Sequence, residues 1–108
     1  DGKLTPEATA GKAIFEGKGG CASCHTGKLY TDMKAYDVGT RNEYDKPDNT
    51  FYTPKLTELY RTAPFLHDGR AATLEEVFTK SNPKDQHGAT SKLTPKELAD
   101  LVAYLKSL

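Results

Sequence analysis

Two cysteines three positions apart, with a histidine directly after the second, constrain this chain more than any other feature: Cys21-Ala22-Ser23-Cys24-His25. Cysteines this close cannot staple a domain as a disulfide scaffold, because the loop they would close is tiny. Their spacing is the attachment pattern for c-type haem. Two thiols must add across two vinyl groups on one edge of the macrocycle, and the adjacent imidazole then lies beneath the ring and reaches the iron. Cys21, Cys24 and His25 are therefore the expected cofactor-binding residues, with His25 on the metal. Two other uses of the same cysteines fit less well. A zinc site would take both thiols and two of the three histidines, but zinc ribbons usually carry a second paired-ligand knuckle, and none is visible. A redox dithiol expects a strand before the motif and a helix from its first Cys, whereas Gly17-Lys18-Gly19-Gly20 precedes it here.

Composition agrees with a bulky prosthetic group. The chain has 108 residues, enough for one domain spanning 1–108, and only 36% are hydrophobic. The apolar share stays below the roughly 45–50% of ordinary domains when glycine is counted and tyrosine left out. Small domains bury a poor fraction of their surface in any case, and a covalent macrocycle would fill the deficit. With 15 basic and 15 acidic residues the formal net charge is zero, which argues against a nucleic-acid partner. No apolar run approaches the ~18–20 residues of a membrane span.

Helix signals lie at both ends. Thr5-Pro6-Glu7 is a start signature, with a capping hydroxyl, Pro at the first helical position and an acid near the positive dipole end. That helix should run to about Glu16 and stop at Gly17, with Gly11 and Phe15 on one face. Thr94 with Glu97 forms a capping box, and Leu98, Leu101, Val102, Leu105 and Leu108 fall on one stripe of a helix ending the chain. Tyr104 on that helix could cross the first at Gly11. In between, Thr53–Tyr60 reads as a short helix or turn, and Thr73 with Glu76 as a second capping box. Residues 27–52, rich in Tyr and Asp, lack periodicity and read as a long loop draped over the prosthetic group.

Together, Gly11 and Phe15, Cys21 to His25, and Leu98 to Leu108 resemble the class I cytochrome c fold. The resemblance implies an all-α architecture, with crossed terminal helices, short helices and long loops around one covalent haem. It also bears on the second axial ligand. Met33, His67 and His87 are the candidates. Met33 stands eight positions beyond His25, leaving the chain almost no slack to round the ring. His87 falls in Asn82-Pro83-Lys84-Asp85-Gln86-His87-Gly88, six positions before Leu93. Class I cytochromes carry their distal Met in a loop at much that distance from the final helix, so the resemblance puts His87 in the ligand slot.

A second resemblance is sharper. Tyr52-Thr53-Pro54-Lys55-Leu56, Thr62-Ala63-Pro64-Phe65-Leu66-His67-Asp68-Gly69 and Thr73-Leu74-Glu75-Glu76-Val77 resemble one haem domain of the bacterial diheme cytochrome c peroxidase superfamily, which includes diheme enzymes of methylamine utilisation. Leu29-Tyr30-Thr31-Asp32 and Asp37-Val38-Gly39-Thr40 are similar to the same family. In that family the histidine matching His67 lies near the haem without binding iron, which implies a structural role here. Main-chain oxygens matching Thr62 and Pro64 bind calcium there, but the Asn ligand comes from the other domain, so no calcium is expected. The diheme enzymes also need a second haem and an aromatic residue, often Trp, between the two, whereas this chain has one motif and no Trp.

The expectation is a monohaem electron-transfer protein or domain, bis-histidine and low-spin, with redox proteins as donor and acceptor. Two imidazoles generally give a lower potential than a thioether ligand. The haem propionates need cationic or hydroxyl partners, for which Arg41, Arg61, Arg70, Tyr52 and Tyr60 are candidates. A peroxidase-like fragment that reduces hydrogen peroxide, or a small-ligand sensor, would instead require the distal ligand to leave. Covalent haem attachment in bacteria takes place outside the cytoplasmic membrane, so a periplasmic or otherwise exported protein is expected. Asp1 at the start suits a removed signal segment or a piece of a larger redox protein.

Overall fold

Three threonines start the three helices of the computed structural model, which describes residues 2–45 and 47–108. Before α1 (Pro6–Glu16), Thr5 Oγ1 accepts the Ala8 N–H at 3.1 Å. Before α2 (Leu74–Thr79), Thr73 Oγ1 accepts from Glu76 N at 3.2 Å. The expected box there is only half formed, because the Glu76 carboxylate reaches one residue further back and takes the Ala72 N–H at 3.1 Å. Before α3 (Pro95–Lys106) the box is complete: Thr94 Oγ1 accepts from Glu97 N, and Glu97 Oε2 accepts from Thr94 N at 2.9 Å.

Packing of α1 on α3 makes the core. A Cβ on Gly11 would stand 1.9 Å from Asp100 O and 2.9 Å from Tyr104 Cβ, so only glycine lets the two backbones come this close. Phe15 and Tyr104 meet edge to face with ring centroids 5.3 Å apart. Ala8, Ile14, Leu101, Val102 and Leu105 are buried around them, joined by Leu56 and Leu74 from the intervening chain. On the predicted stripe Leu101, Val102 and Leu105 are buried, while Leu98 and Leu108 are half-buried. Among the described residues no helix is long and apolar enough to cross a membrane.

A small antiparallel ribbon corrects the strand-free expectation for residues 27–52. β1 (Ala35–Tyr36) pairs with β2 (Phe51–Tyr52), Ala35 opposite Tyr52 and Tyr36 opposite Phe51. Aromatic residues suit such pairing. Elsewhere in the described part of the segment, short polar side chains close turns. Asp32 Oδ1 accepts from Lys34 N, Asp37 Oδ1 from Gly39 N and Asn42 Oδ1 from Tyr44 N, each a turn closed two residues on. The stretch expected as a helix or turn at Thr53–Tyr60 begins as irregular chain tied to the preceding segment, Thr53 N donating to Lys34 O and Leu56 N to Leu29 O. A 3₁₀ turn follows at Leu59–Arg61, after Glu58 in the left-handed region at φ 57°.

Candidate metal centre

A 3₁₀ turn, Cys21–Ser23, presents the two thiols and His25 just beyond the end of α1. Burial pushes the Cys21 thiol up to about 11, the opposite of the lowered value a reactive redox dithiol needs. Among the described residues no three His, Cys, Asp or Glu side chains gather as a metal-binding cluster.

The His25 imidazole is fixed from behind. Its Nδ1–H donates to Tyr30 O at 2.9 Å, which leaves Nε2 as the basic nitrogen. Tyr30 adopts a left-handed backbone, φ 57°, and its ring packs edge-on against Phe15 with centroids 6.2 Å apart. The carbonyl that orients His25 therefore belongs to a residue anchored in the helix core. Burial lowers the pKa of His25, opposed by the carbonyls of Tyr30 and Pro54 and by the charge of Asp32.

Of the three candidates for the second ligand, the structure brings His87 to His25. The two ring centroids stand 6.3 Å apart with the planes tilted by 41°. Burial pushes the His87 pKa down to about 4, with a smaller contribution from the charge of His25, so the ring is neutral at pH 7. Its Nδ1 is buried with no hydrogen-bond partner. Met33 is elsewhere, 79% exposed at φ 59°. His67 is engaged away from the motif: Nε2 meets Asp45 Oδ2 at 2.8 Å and the ring stacks on Phe51, centroids 3.8 Å apart.

The segment around His67 closes onto the loop at 40–45. Arg70 Nη2 donates to the Thr40 carbonyl and pairs with Asp68 at 2.8 Å, and Asn42 Nδ2 donates to Asp68 Oδ2 at 3.0 Å. The arginines proposed for propionate contact already have protein partners: Arg61 has Glu58, Arg70 has Asp68, and Arg41 donates to Asp45 O. Tyr52 and Tyr60 are exposed. Two residues with a direct bearing on the histidines, Tyr30 and Asn82, escape a reading based on ligand types. The Asn82-Pro83 step, a common turn initiator, is the one signal that could have marked the second.

The Arg70 guanidinium beside Asp68 holds that carboxyl well below the usual carboxylate range, and the Asn42 N–H lowers Asp45 in the same way. Both groups keep their charge more readily folded than unfolded. Their stabilisation is therefore complete above about pH 4 and is lost as the pH falls through the folded values. Asp68→Asn is expected to lower stability at pH 7 and to flatten the dependence below pH 4, as measured by denaturant unfolding across an acid series.

A helix pair around a Cys-x-x-Cys-His turn, with a second imidazole facing the first, defines a c-type haem domain. A sequence profile of the Cytochrome c family matches residues 8–108, and the chain belongs to that family. The family's haem c is bound covalently, through the cysteines of such a motif. Relatives include hydrazine synthase subunit gamma of Kuenenia stuttgartiensis, 34% identical over all of this chain and 42% of its own length. Methylamine utilization protein MauG of Methylorubrum extorquens is 33% identical over 94% of this chain and 34% of its own. Cytochrome-c peroxidase IdrP1 of Denitromonas iodatirespirans is 29% identical over 97% and 41%. This chain thus resembles part of the diheme peroxidase and MauG group, spanning less than half the length of these relatives. A solved structure of Kuenenia stuttgartiensis hydrazine synthase pressurised with xenon superposes with a TM-score of 0.86 at 33% identity, over all of this chain and 48% of that one. A MauG-like protein associated with microbial copper homeostasis shares the fold, with a TM-score of 0.79 at 24% identity over 98% of this chain and 47% of that one.

Proposed function

We propose that residues 1–108 form a single one-haem electron-transfer unit, Cys21 and Cys24 holding the haem and His25 and His87 binding its iron from opposite sides. The observation that carries this reading is the 6.3 Å between the two imidazole centroids. With metal–imidazole bonds of about 2 Å and roughly another 1 Å from nitrogen to ring centre, two histidines sharing one metal stand about 6 Å apart. His25 has its Nδ1 occupied by Tyr30 O, as a ligand bonding through Nε2 requires, and His87 is half-buried and neutral. The bound group supplies a one-electron couple, and a centre closed on both sides by imidazoles is low-spin with a rather low potential. The protein's part is to fix both rings so that little moves when the charge changes. Crossing of the terminal helices at Gly11 belongs to the same reading, as does export across the cytoplasmic membrane, since covalent haem attachment takes place on its far side. Donor and acceptor are other redox proteins, or neighbouring domains of a longer chain, given the relatives' greater length.

Resemblance to the peroxidases favours a second reading, in which His87 leaves the iron and peroxide takes its place. One set of spectra separates the two. The parent is expected to be low-spin when ferric and indifferent to peroxide, and its reduced form to resist carbon monoxide. His87→Ala is expected to become high-spin and to bind carbon monoxide at once, with His67→Ala unchanged. A high-spin form appearing in His67→Ala alone would move the ligand to His67, and rapid reaction of the parent with peroxide would favour the enzyme.

A further inference from the structure

One buried side chain closes the loop that carries His87. Asn82 is 3% exposed, and its Oδ1 accepts from His87 N at 2.8 Å. Its Nδ2 faces three acceptors: His87 O at 3.0 Å, Gly88 O at 2.9 Å and Thr90 Oγ1 at 2.9 Å. A carboxamide has two N–H donors and an oxygen that can accept, so both of its polar ends are engaged by the segment around His87, with three acceptors sharing the two N–H groups. No carboxylate could replace it, since two of the three groups facing Nδ2 are carbonyl oxygens. Outside this ring, Asp85 accepts from Thr90 N, Ser91 N and Ser91 Oγ, which fixes the far limb of the loop. The loop is then fastened to the cysteine motif. Ala89 N donates to Gly19 O at 2.9 Å, and Gly88, at φ 80°, passes so near that a Cβ there would lie 3.0 Å from the same oxygen.

We propose that Asn82 is a positioning residue for the iron: by gripping the peptide units on both sides of His87 it keeps that imidazole presented to His25, and so holds the sixth coordination position closed. This rests on the bis-histidine reading. A histidine in a surface loop has many backbone and rotamer states, and each must be suppressed for the ring to return to the metal faster than an outside ligand can bind. Asn82 suppresses them through hydrogen bonds to the main chain and leaves the ring itself untouched. Removing those bonds releases the ligand without deleting it.

The test uses the haem-loaded protein in five forms: parent, His87→Ala, Asn82→Ala, Asn82→Leu and Thr73→Ala. The rate of carbon monoxide binding to the reduced form and the ferric spin state are read for each. In the parent, binding is limited by departure of His87 and is slow. Asn82→Ala and Asn82→Leu are each expected to raise the rate at least tenfold and to add a high-spin fraction. Leu keeps the volume of the side chain and loses only its polar atoms. Thr73→Ala removes a helix cap away from the loop and is expected to behave as the parent.

If His87→Ala opens the site while both Asn82 variants keep the parental rate, the positioning role is overturned and the ligand assignment stands. A parental rate in Asn82→Leu alone also overturns it, because packing then suffices. An equal rise in Thr73→Ala would trace the effect to general loosening and overturn it too. His87→Ala indistinguishable from the parent would remove the bis-histidine reading and this proposal with it. Should the Asn82 variants fail to retain haem, Thr90→Val, which deletes one of the four contacts, is read the same way. It is expected to give a rise of a few-fold, and an unchanged rate would count against the proposal.

Discussion

A Gly11→Ala chain is expected to unfold at markedly lower denaturant than the parent, and Gly11→Val lower still. The sign is informative because general helix preference points the other way: Gly to Ala inside a helix ordinarily stabilises by about 1 kcal/mol. Here the added carbon would lie 1.9 Å from the Asp100 carbonyl oxygen and 2.5 Å from its carbon. Both are backbone atoms of α3 and cannot turn aside as a side chain would, so the helices must separate along their contact. Overpacking typically costs about 1–3 kcal/mol and sometimes more. Because the α1–α3 contact is most of this core, the loss should reach roughly 3 kcal/mol, a large share of the 5–15 kcal/mol typical of a domain. Equilibrium denaturation of the haem-loaded protein checks this, and an Ala variant as stable as the parent would contradict the close approach.

Withholding the haem is expected to have a larger effect. In a Cys21→Ala/Cys24→Ala chain no thioether can form, and such a chain should keep some helical signal but lose a sharp unfolding transition. The buried cluster is confined to the helix pair and a few contacts from the intervening chain. His25 and His87 are partly buried without forming part of that apolar cluster, and the Nδ1 of His87 is left unpaired. An unsatisfied buried polar atom costs about 1–3 kcal/mol, a penalty that so small an apolar cluster offsets poorly when no macrocycle adds to it. Circular dichroism in the far and near ultraviolet during a thermal ramp would show the difference. A haem-free chain melting as cooperatively as the parent would mean that the polypeptide core alone sustains the fold.

How well the sequence disclosed this protein depended on the range of the interactions involved. Thr5, Thr94 and Glu97 act within one helical turn, and their caps form as local chemistry dictates. Cys21, Cys24 and His25 are adjacent, so their common purpose is visible in the spacing. His87 could be placed only by analogy with a loop of similar position, and its approach to His25 across more than half the chain is a tertiary fact. Glu76 shows the limit of local rules, since its carboxylate had a choice of backbone partners and took Ala72 over Thr73. The ribbon at Ala35–Tyr36 and Phe51–Tyr52 was missed because two residues per strand are too few to display alternation. Asn82 received no role from the sequence because its four contacts exist only once the loop has closed.

Tyr30 links two parts of the molecule usually considered apart. Its ring is lodged against Phe15 in the helix pair while its carbonyl accepts the hydrogen bond of His25 Nδ1–H. The reduction potential should therefore report on substitutions made far from the porphyrin: a Phe15→Leu exchange, silent in the visible spectrum, would shift the midpoint in voltammetry by letting that oxygen drift. In such a molecule the electrode becomes a gauge of mechanical fit between helices, and sequence changes in the hydrophobic interior offer evolution a fine adjustment of driving force with both ligands left in place.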